Sequence, residues 1–246
     1  MKSEINILLK KFHQIKNQGY IKSIRKGSTG IGATFESLLK IPENNFEIPD
    51  YNAIEIKTKR HYSKAYTTLF NCTPEGPNLY EIKRIREKYG YPDAILKTAK
   101  VLNNSITTKE KTKIGVKYYF QLSINKKEQK VYLYVYDRYN NLLENKIYWT
   151  FTTLKDKLYR KVKTIAFVDA IRKNIKKEEY FKYYKMTIYT IKSFDDFIDL
   201  LENGVIRITF KISVFRDGLR KGKIHDHGTG FDIEEENLLQ LYDIYQ

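Results

Sequence analysis

The chain has 246 residues, of which 30% are charged and 41% hydrophobic, and Lys+Arg 45 against Asp+Glu 29 give a formal net charge of +16. This composition excludes a disordered chain and can bury a full core, as one large domain or as two lobes. No apolar run reaches transmembrane length, "MKSEINILLKKF" reads as an amphipathic helix rather than a signal peptide, and the single cysteine, Cys72, excludes an internal disulfide and suits a reducing cytoplasm.

Along the chain, Ile5, Leu8, Leu9, Phe12 and Ile15 share a helical face from Ser3 to Gln18, with Ser3 as N-cap and Gly19 as stop. The glycine-rich "RKGSTGIG" leads into a helix over "ATFESLLK" with Phe35, Leu38 and Leu39 inward. A turn-rich connector, "PENNFEIPD", precedes a strand over "YNAIEIKTKR", and "YTTLFNC" is expected to pair with it. "NLYEIKRIREKYG" is a helix closed by Gly90. "VKYYFQLSI", "QKVYLYVYD" and "KIYWTF" form a meander, with turns at "NKKE" and "RYNN". A helix over residues 152–162 and the strand "TIAFVDAI" follow. "SFDDFIDLLENG" is a helix capped by Ser193 towards Asp196. Then come the strand "VIRITFKISVF", a basic loop "RDGLRKGKIHDHGTG" and an acidic helix "FDIEEENLLQLYDIY". The pattern is α+β with a mixed central sheet and flanking helices. Two lobes are expected to part near residue 105, as 1–105 and 106–246.

The basic excess is spread along the chain, as on a folded surface that meets a polyanion, with nucleic acid ahead of a membrane surface. Within it lies "IPDYNAIEIKTKR". In a strand, Ile54, Ile56 and Thr58 share one face, while Glu55, Lys57 and Lys59 share the other. Glu55 and Lys57 then project side by side, about 6.6 Å apart at Cα. Asp50 enters from the preceding turn and can close on Glu55. Two carboxylates and an ammonium group at this spacing suit phosphodiester hydrolysis: hard oxygen ligands hold Mg²⁺, and lysine orients water and adds positive charge at the transition state. A solvated strand with alternating charges is the other reading of the same residues. "GSTGIG" lacks the Gly-Lys-Ser/Thr ending and follows no strand, so it is not a P-loop, and tight backbone packing or a single phosphate contact suits it better.

"FRDGLRKGKIHDHGTGF" gathers Arg216, Arg220, Lys221, Lys223, His225, Asp226 and His227. Arginine offers paired donors to guanine, and Asp226 offers an acceptor to cytosine. A solvated basic loop is the alternative. His225 and His227 lack the further ligands of a zinc site. The alternating Tyr132, Tyr134 and Tyr136 read as a packed cross-strand face rather than a base platform.

Pro49-Asp50, Glu55 and Lys57 resemble the active-site motif of the PD-(D/E)xK nuclease superfamily. "EIKT" after "GSTGIGATFESLLK" narrows the resemblance to the mismatch-repair nicking enzyme MutH and its relatives, the MvaI/BcnI-type restriction endonucleases. There a glycine-containing segment precedes a helix bearing a glutamate, here matched by Glu36, and then the Asp, Glu and Lys. Chain length and the C-terminal basic segment place the MvaI type nearer. The resemblance spans most of the chain and is residue-specific only in the N-terminal motif. It departs in one respect, a short interval from Asp50 to Glu55, with Glu47 as the substitute ligand. The resemblance implies a MutH-like nuclease core with two lobes around a DNA cleft, the first catalytic and the second reading DNA. It implies catalysis by Glu36, Asp50, Glu55 and Lys57, with Mg²⁺ on Asp50, Glu55 and the Ile56 backbone carbonyl. Bases would be read in the major groove by the lobe carrying Arg216 to His227. The target is double-stranded DNA at the pseudopalindrome CCWGG, or CCSGG in the BcnI type, with a cognate methyltransferase in the host.

Two other readings remain at this level. A non-catalytic DNA-binding protein accounts for the charge but leaves Asp50, Glu55 and Lys57 unused. A junction resolvase shares the motif but works as a dimer. One motif, a pseudosymmetric target and no evident dimerisation element together lead to the expectation of a monomer.

Overall fold

The computed structural model describes residues 2–41, 49–61, 66–78 and 80–245. In chain order the elements are α1 (Lys2–Asn17), β1 (Ile21–Lys22), α2 (Gly30–Leu38), β2 (Glu55–Arg60), β3 (Thr67–Asn71), α3 (Glu81–Tyr89), β4 (Tyr91–Pro92), β5 (Lys100–Ile106), β6 (Thr112–Ile114) and β7 (Tyr118–Asn125). They continue as β8 (Lys130–Asp137), β9 (Leu142–Thr150), α4 (Phe151–Val162), β10 (Thr164–Ile175), β11 (Glu178–Ile191), α5 (Phe194–Glu202), β12 (Ile206–Val214), β13 (Ile224–Ile233), α6 (Leu238–Leu241) and β14 (Tyr242–Ile244). The fold is mixed α and β, as expected. The chain forms two compact units: Met1–Ala65, Tyr159–Lys192 and Tyr242–Gln246 make the first, and Tyr66–Leu158 and Ser193–Leu241 the second. Residue 105, the expected boundary, instead falls inside β5 of the second unit.

The first unit is built on a sheet of order β1-β11-β10-β2, with β14 added on β11. β2 and β10 run parallel, and the other pairs are antiparallel. Parallel neighbours need a long crossover, and here the chain builds most of the second unit before returning through α4 to β10. This is why β3 does not pair with β2: it lies in another sheet, against β13. On one face of the first sheet, Ile5, Leu8, Phe12 and Ile15 of α1 and Ile31 and Phe35 of α2 pack with Ile54, Ile56, Val168 and Phe181. α1 begins at Lys2, so Ser3 lies inside it rather than capping it, and Gly19 ends it with φ +73. The β10–β11 hairpin has no sequence-based counterpart beyond "TIAFVDAI". Its turn is Lys176-Lys177 at φ 50 and 66, where Asn-Gly would have announced it.

The second unit holds two sheets, β3-β13-β12-β5-β4 and β6-β7-β8-β9, the latter being the expected meander β7-β8-β9 with β6 added at its edge. Ser193 caps α5 by accepting from the Asp196 N–H at 3.1 Å. Tyr132, Tyr134 and Tyr136 pack ring to ring along β8, at 6.2 and 6.5 Å. The C-terminal part differs from expectation. The basic loop shortens to residues 215–223, and β13 takes up His225 to Ile233. The acidic helix becomes the end of β13, a 3-10 turn at Glu235–Asn237, the four-residue α6 and β14. Phe231 and Ile233, fully buried opposite Ile208 and Ile206, hold that stretch in the sheet against its helical acidic pattern.

Candidate active site in the first unit

A turn precedes β2, with Asn52 and Ala53 left-handed at φ 41 and 68. It is closed by Tyr51 N–H to Ile54 O at 2.9 Å and Ile54 N–H to Tyr51 O at 2.7 Å. The turn folds the chain back, so Asp50 Oδ2 accepts from the Ile56 N–H at 3.0 Å despite the short interval. Glu47 lies outside the described residues. A residue's N–H and C=O leave a strand on the same side. The Ile56 carbonyl therefore points to the Asp50 side of β2, away from β10.

Glu55 and Lys57 do project together: Lys57 Nζ donates to Glu55 Oε1 at 2.7 Å. Glu55 is only 3% exposed, so this face is no solvated strand. Lys161, near the end of α4, brings a second ammonium group, which sequence reasoning missed. Its Nζ lies 2.8 Å from Glu55 Oε2 and 3.8 Å from Asp50 Oδ1. Glu55 pairs with Ile165 across the parallel ladder, and Lys161 sits just upstream of that partner. The Tyr242 hydroxyl donates to the Val162 carbonyl at 3.1 Å and ties down this helix end. Burial raises the Glu55 carboxyl above its ordinary range. Lys57 opposes the rise, neighbouring Asp50 adds to it, and Lys161 lowers it again.

These groups fit a hard divalent cation. Glu55 Oε2 is buried and receives the Lys161 charge without an aligned hydrogen bond. An ammonium ion already spans both carboxylates, and the Ile56 carbonyl supplies a third oxygen on the same side. Among the described residues, no group of three or more His, Cys, Asp or Glu side chains gathers as a metal site. That count includes His225, Asp226 and His227.

Glu36 lies on α2, half-buried. A Cβ on Gly32 would come 3.3 Å from Thr58 Oγ1 and 3.5 Å from Glu36 Oε1. Glu36 thus sits by the Thr58 face of β2, opposite the face that carries Glu55 and Lys57. The glycine segment is a packing device: a Cβ at Gly30 would lie 2.6 Å from Arg25 O and 2.7 Å from Ser23 Oγ. Arg60 of β2 donates to Gly27 O at 3.0 Å and Ser28 O at 3.3 Å.

In the second unit, the structure divides the expected base-reading residues. Arg220, Lys221 and Lys223 occupy the β12–β13 hairpin loop, while His225, Asp226 and His227 lie on β13. The Arg220 guanidinium stacks 4.0 Å from the Phe215 ring centroid, His225 stacks on Phe215 with centroids 4.1 Å apart, and the His225 and His227 centroids lie 3.7 Å apart. Partial burial, with His227 and Arg220 nearby, lowers the His225 pKa. Asp226 Oδ1 accepts from the Gly228 N–H at 2.7 Å. Arg216 differs: its Nε and Nη2 both donate to buried Asp93, the latter at 2.8 Å. This pair braces the start of the basic loop against the segment at residues 93–96.

Two carboxylates and two ammonium groups at the open edge of one strand of a mixed sheet suit the hydrolysis of a phosphodiester. The model of the MvaI/BcnI restriction endonuclease family matches residues 9–242, and the chain belongs to that family. It is thus a DNA-cleaving hydrolase. Among solved structures, a restriction endonuclease MvaI–cognate DNA substrate complex is similar with a TM-score of 0.92 and 33% identity, covering 100% of this chain and 98% of that one. Restriction endonuclease MvaI in the absence of DNA is similar with a TM-score of 0.62 and 32% identity over the same shares. No curated protein matches.

Proposed function

We propose that the protein is a type II restriction endonuclease that binds double-stranded DNA and hydrolyses one phosphodiester per strand at CCWGG, with Mg²⁺ as cofactor. The observation that carries this reading is the buried Glu55, placed between Lys57 and Lys161 with Asp50 alongside. The likeness to MvaI in complex with its cognate DNA, over the whole chain, supports the DNA partner.

Asp50, Glu55 and the Ile56 carbonyl would hold the cation, which when bound supplies Lewis acidity, acidifying water and offsetting charge on the phosphoryl oxygens. The Ile56 N–H fixes Asp50, so one oxygen is oriented before substrate arrives. Lys57 holds the attacking water and places positive charge beside the pentacoordinate phosphorus. Glu55 keeps Lys57 in position through their hydrogen bond. Glu36 acts from across the strand as a supporting carboxylate. In the second unit, Arg220, His225, Asp226 and His227 contact base edges, while Lys221 and Lys223 contact phosphates.

Digestion of a sequenced plasmid with Mg²⁺, followed by end mapping, tests this. Ends confined to CCWGG support the reading. Ends at CCSGG move the protein to the other specificity, and DNA binding with no cutting leaves a DNA-binding protein.

A further inference from the structure

Lys161 reaches the carboxylate pair from a different element than Lys57 does. Lys57 pairs with Glu55 and shares its strand, whereas Lys161 Nζ spans Glu55 Oε2 and Asp50 Oδ1. Asp50's other oxygen is taken by the Ile56 N–H, so Oδ1 is the oxygen left facing Lys161. The Lys161 side chain is 21% exposed on a flexible stem, which leaves it a path towards solvent.

We propose that Lys161 is a built-in counter-cation that the divalent ion must displace. This rests on the reading of Asp50 and Glu55 as the metal ligands. An ammonium group and a divalent ion cannot share the same two oxygens, since their repulsion at such distances is strong in a buried site. Among the described residues, Asp50 and Glu55 face the ammonium groups of Lys57 and Lys161. A divalent ion then leaves an excess of positive charge, which an incoming phosphodiester meets. Lys161 therefore holds the site closed as an internal ion pair in the free enzyme and links firm metal binding to the arrival of DNA. In this role it is a positioning residue.

Calorimetric titration of Ca²⁺ into DNA-free protein tests the proposal. Lys161→Met binds Ca²⁺ at least about tenfold more tightly than wild type, because one opposing charge is gone. Lys161→Arg, which keeps the charge, stays within about threefold of wild type. Equal affinities for wild type and Lys161→Met overturn the proposal. In wild-type protein, acylation of Lys161 by a small amine-reactive ester, quantified by mass spectrometry, rises when Ca²⁺ saturates the site. Unchanged labelling overturns it as well, and this arm needs no folded variant. Asp50→Asn with Glu55→Gln locates the ion: binding that survives both changes overturns the reading of the ligands, whereas site-dependent binding with equal affinities overturns the role of Lys161 alone.

Discussion

Lys57 Nζ lies 2.7 Å from Glu55 Oε1, two residues along one strand of the first unit, with Glu55 buried. The ion pair lies within one strand and needs no other element of the fold to bring its partners together. Replacing Lys57 or Asp50 by alanine is expected to lower cleavage by at least about a hundredfold. Specific DNA binding should stay within about tenfold of wild type, because phosphate and base contacts come from other residues. Filter binding and single-turnover cleavage on one oligonucleotide measure both. Ca²⁺ in place of Mg²⁺ should allow binding with little cutting, since it takes looser geometry. Normal cutting by Asp50→Ala would remove Asp50 from the site.

Arg216 holds the Asp93 carboxyl well below the usual carboxylate range, helped by the Leu96 and Ile95 N–H groups. A depressed folded pKa gives stability that is present above the unfolded value, about 3.9, and is lost as pH falls through the folded one. Arg216→Ala should therefore be less stable than wild type in urea at pH 7, and the difference should shrink below about pH 4. Asp93→Ala combined with Arg216→Ala should cost no more than Asp93→Ala alone. A stability gap that is the same at pH 2 and pH 7 would show that the pair does not brace the hairpin.

Arg220 lies in the hairpin loop with its guanidinium stacked on Phe215. Arg220→Ala is expected to weaken binding to the specific site by about 1–3 kcal/mol, and binding to random DNA much less. Competition binding at fixed salt separates the two. Equal losses on both would identify a phosphate contact.

Gly90 follows α3 at φ -60, so its backbone is ordinary, but there is no room for a side chain. A Cβ there would lie 2.3 Å from Arg86 O and 2.8 Å from Val101 O, both backbone atoms. Gly90→Ala should destabilise the fold by about 1–3 kcal/mol in urea titration, through overpacking. A neutral result would mean that α3 and β5 shift apart freely.

The chain carries one catalytic motif, and we expect a monomer that nicks one strand, reorients and cuts the other. On a supercoiled one-site plasmid, nicked circles should precede linear DNA. A stable dimer in sedimentation, with linear product and no nicked intermediate, would rule this out.

Much of the site was legible in the residues. Strand alternation puts Glu55 beside Lys57, and spacing puts Asp50 within reach, because these are relations within one short stretch. The apolar faces of α1 and α5 and the meander were legible for the same reason: each is a periodicity read along a continuous segment. The turn at Asn52-Ala53 was not legible, yet it decides that Asp50 reaches the Ile56 N–H across so short an interval. Nor was the Lys176-Lys177 hairpin, since lysine carries no turn signal even where the fold imposes positive φ. The acidic C-terminal stretch is strand where Phe231 and Ile233 meet buried partners, so burial overrode its local preference. Lys161 lies more than a hundred residues from Glu55 in the sequence and arrives only because β10 pairs in parallel with β2. Local chemistry is written in adjacent side chains, whereas a parallel pairing depends on where a long crossover returns, which only the packed sheet decides.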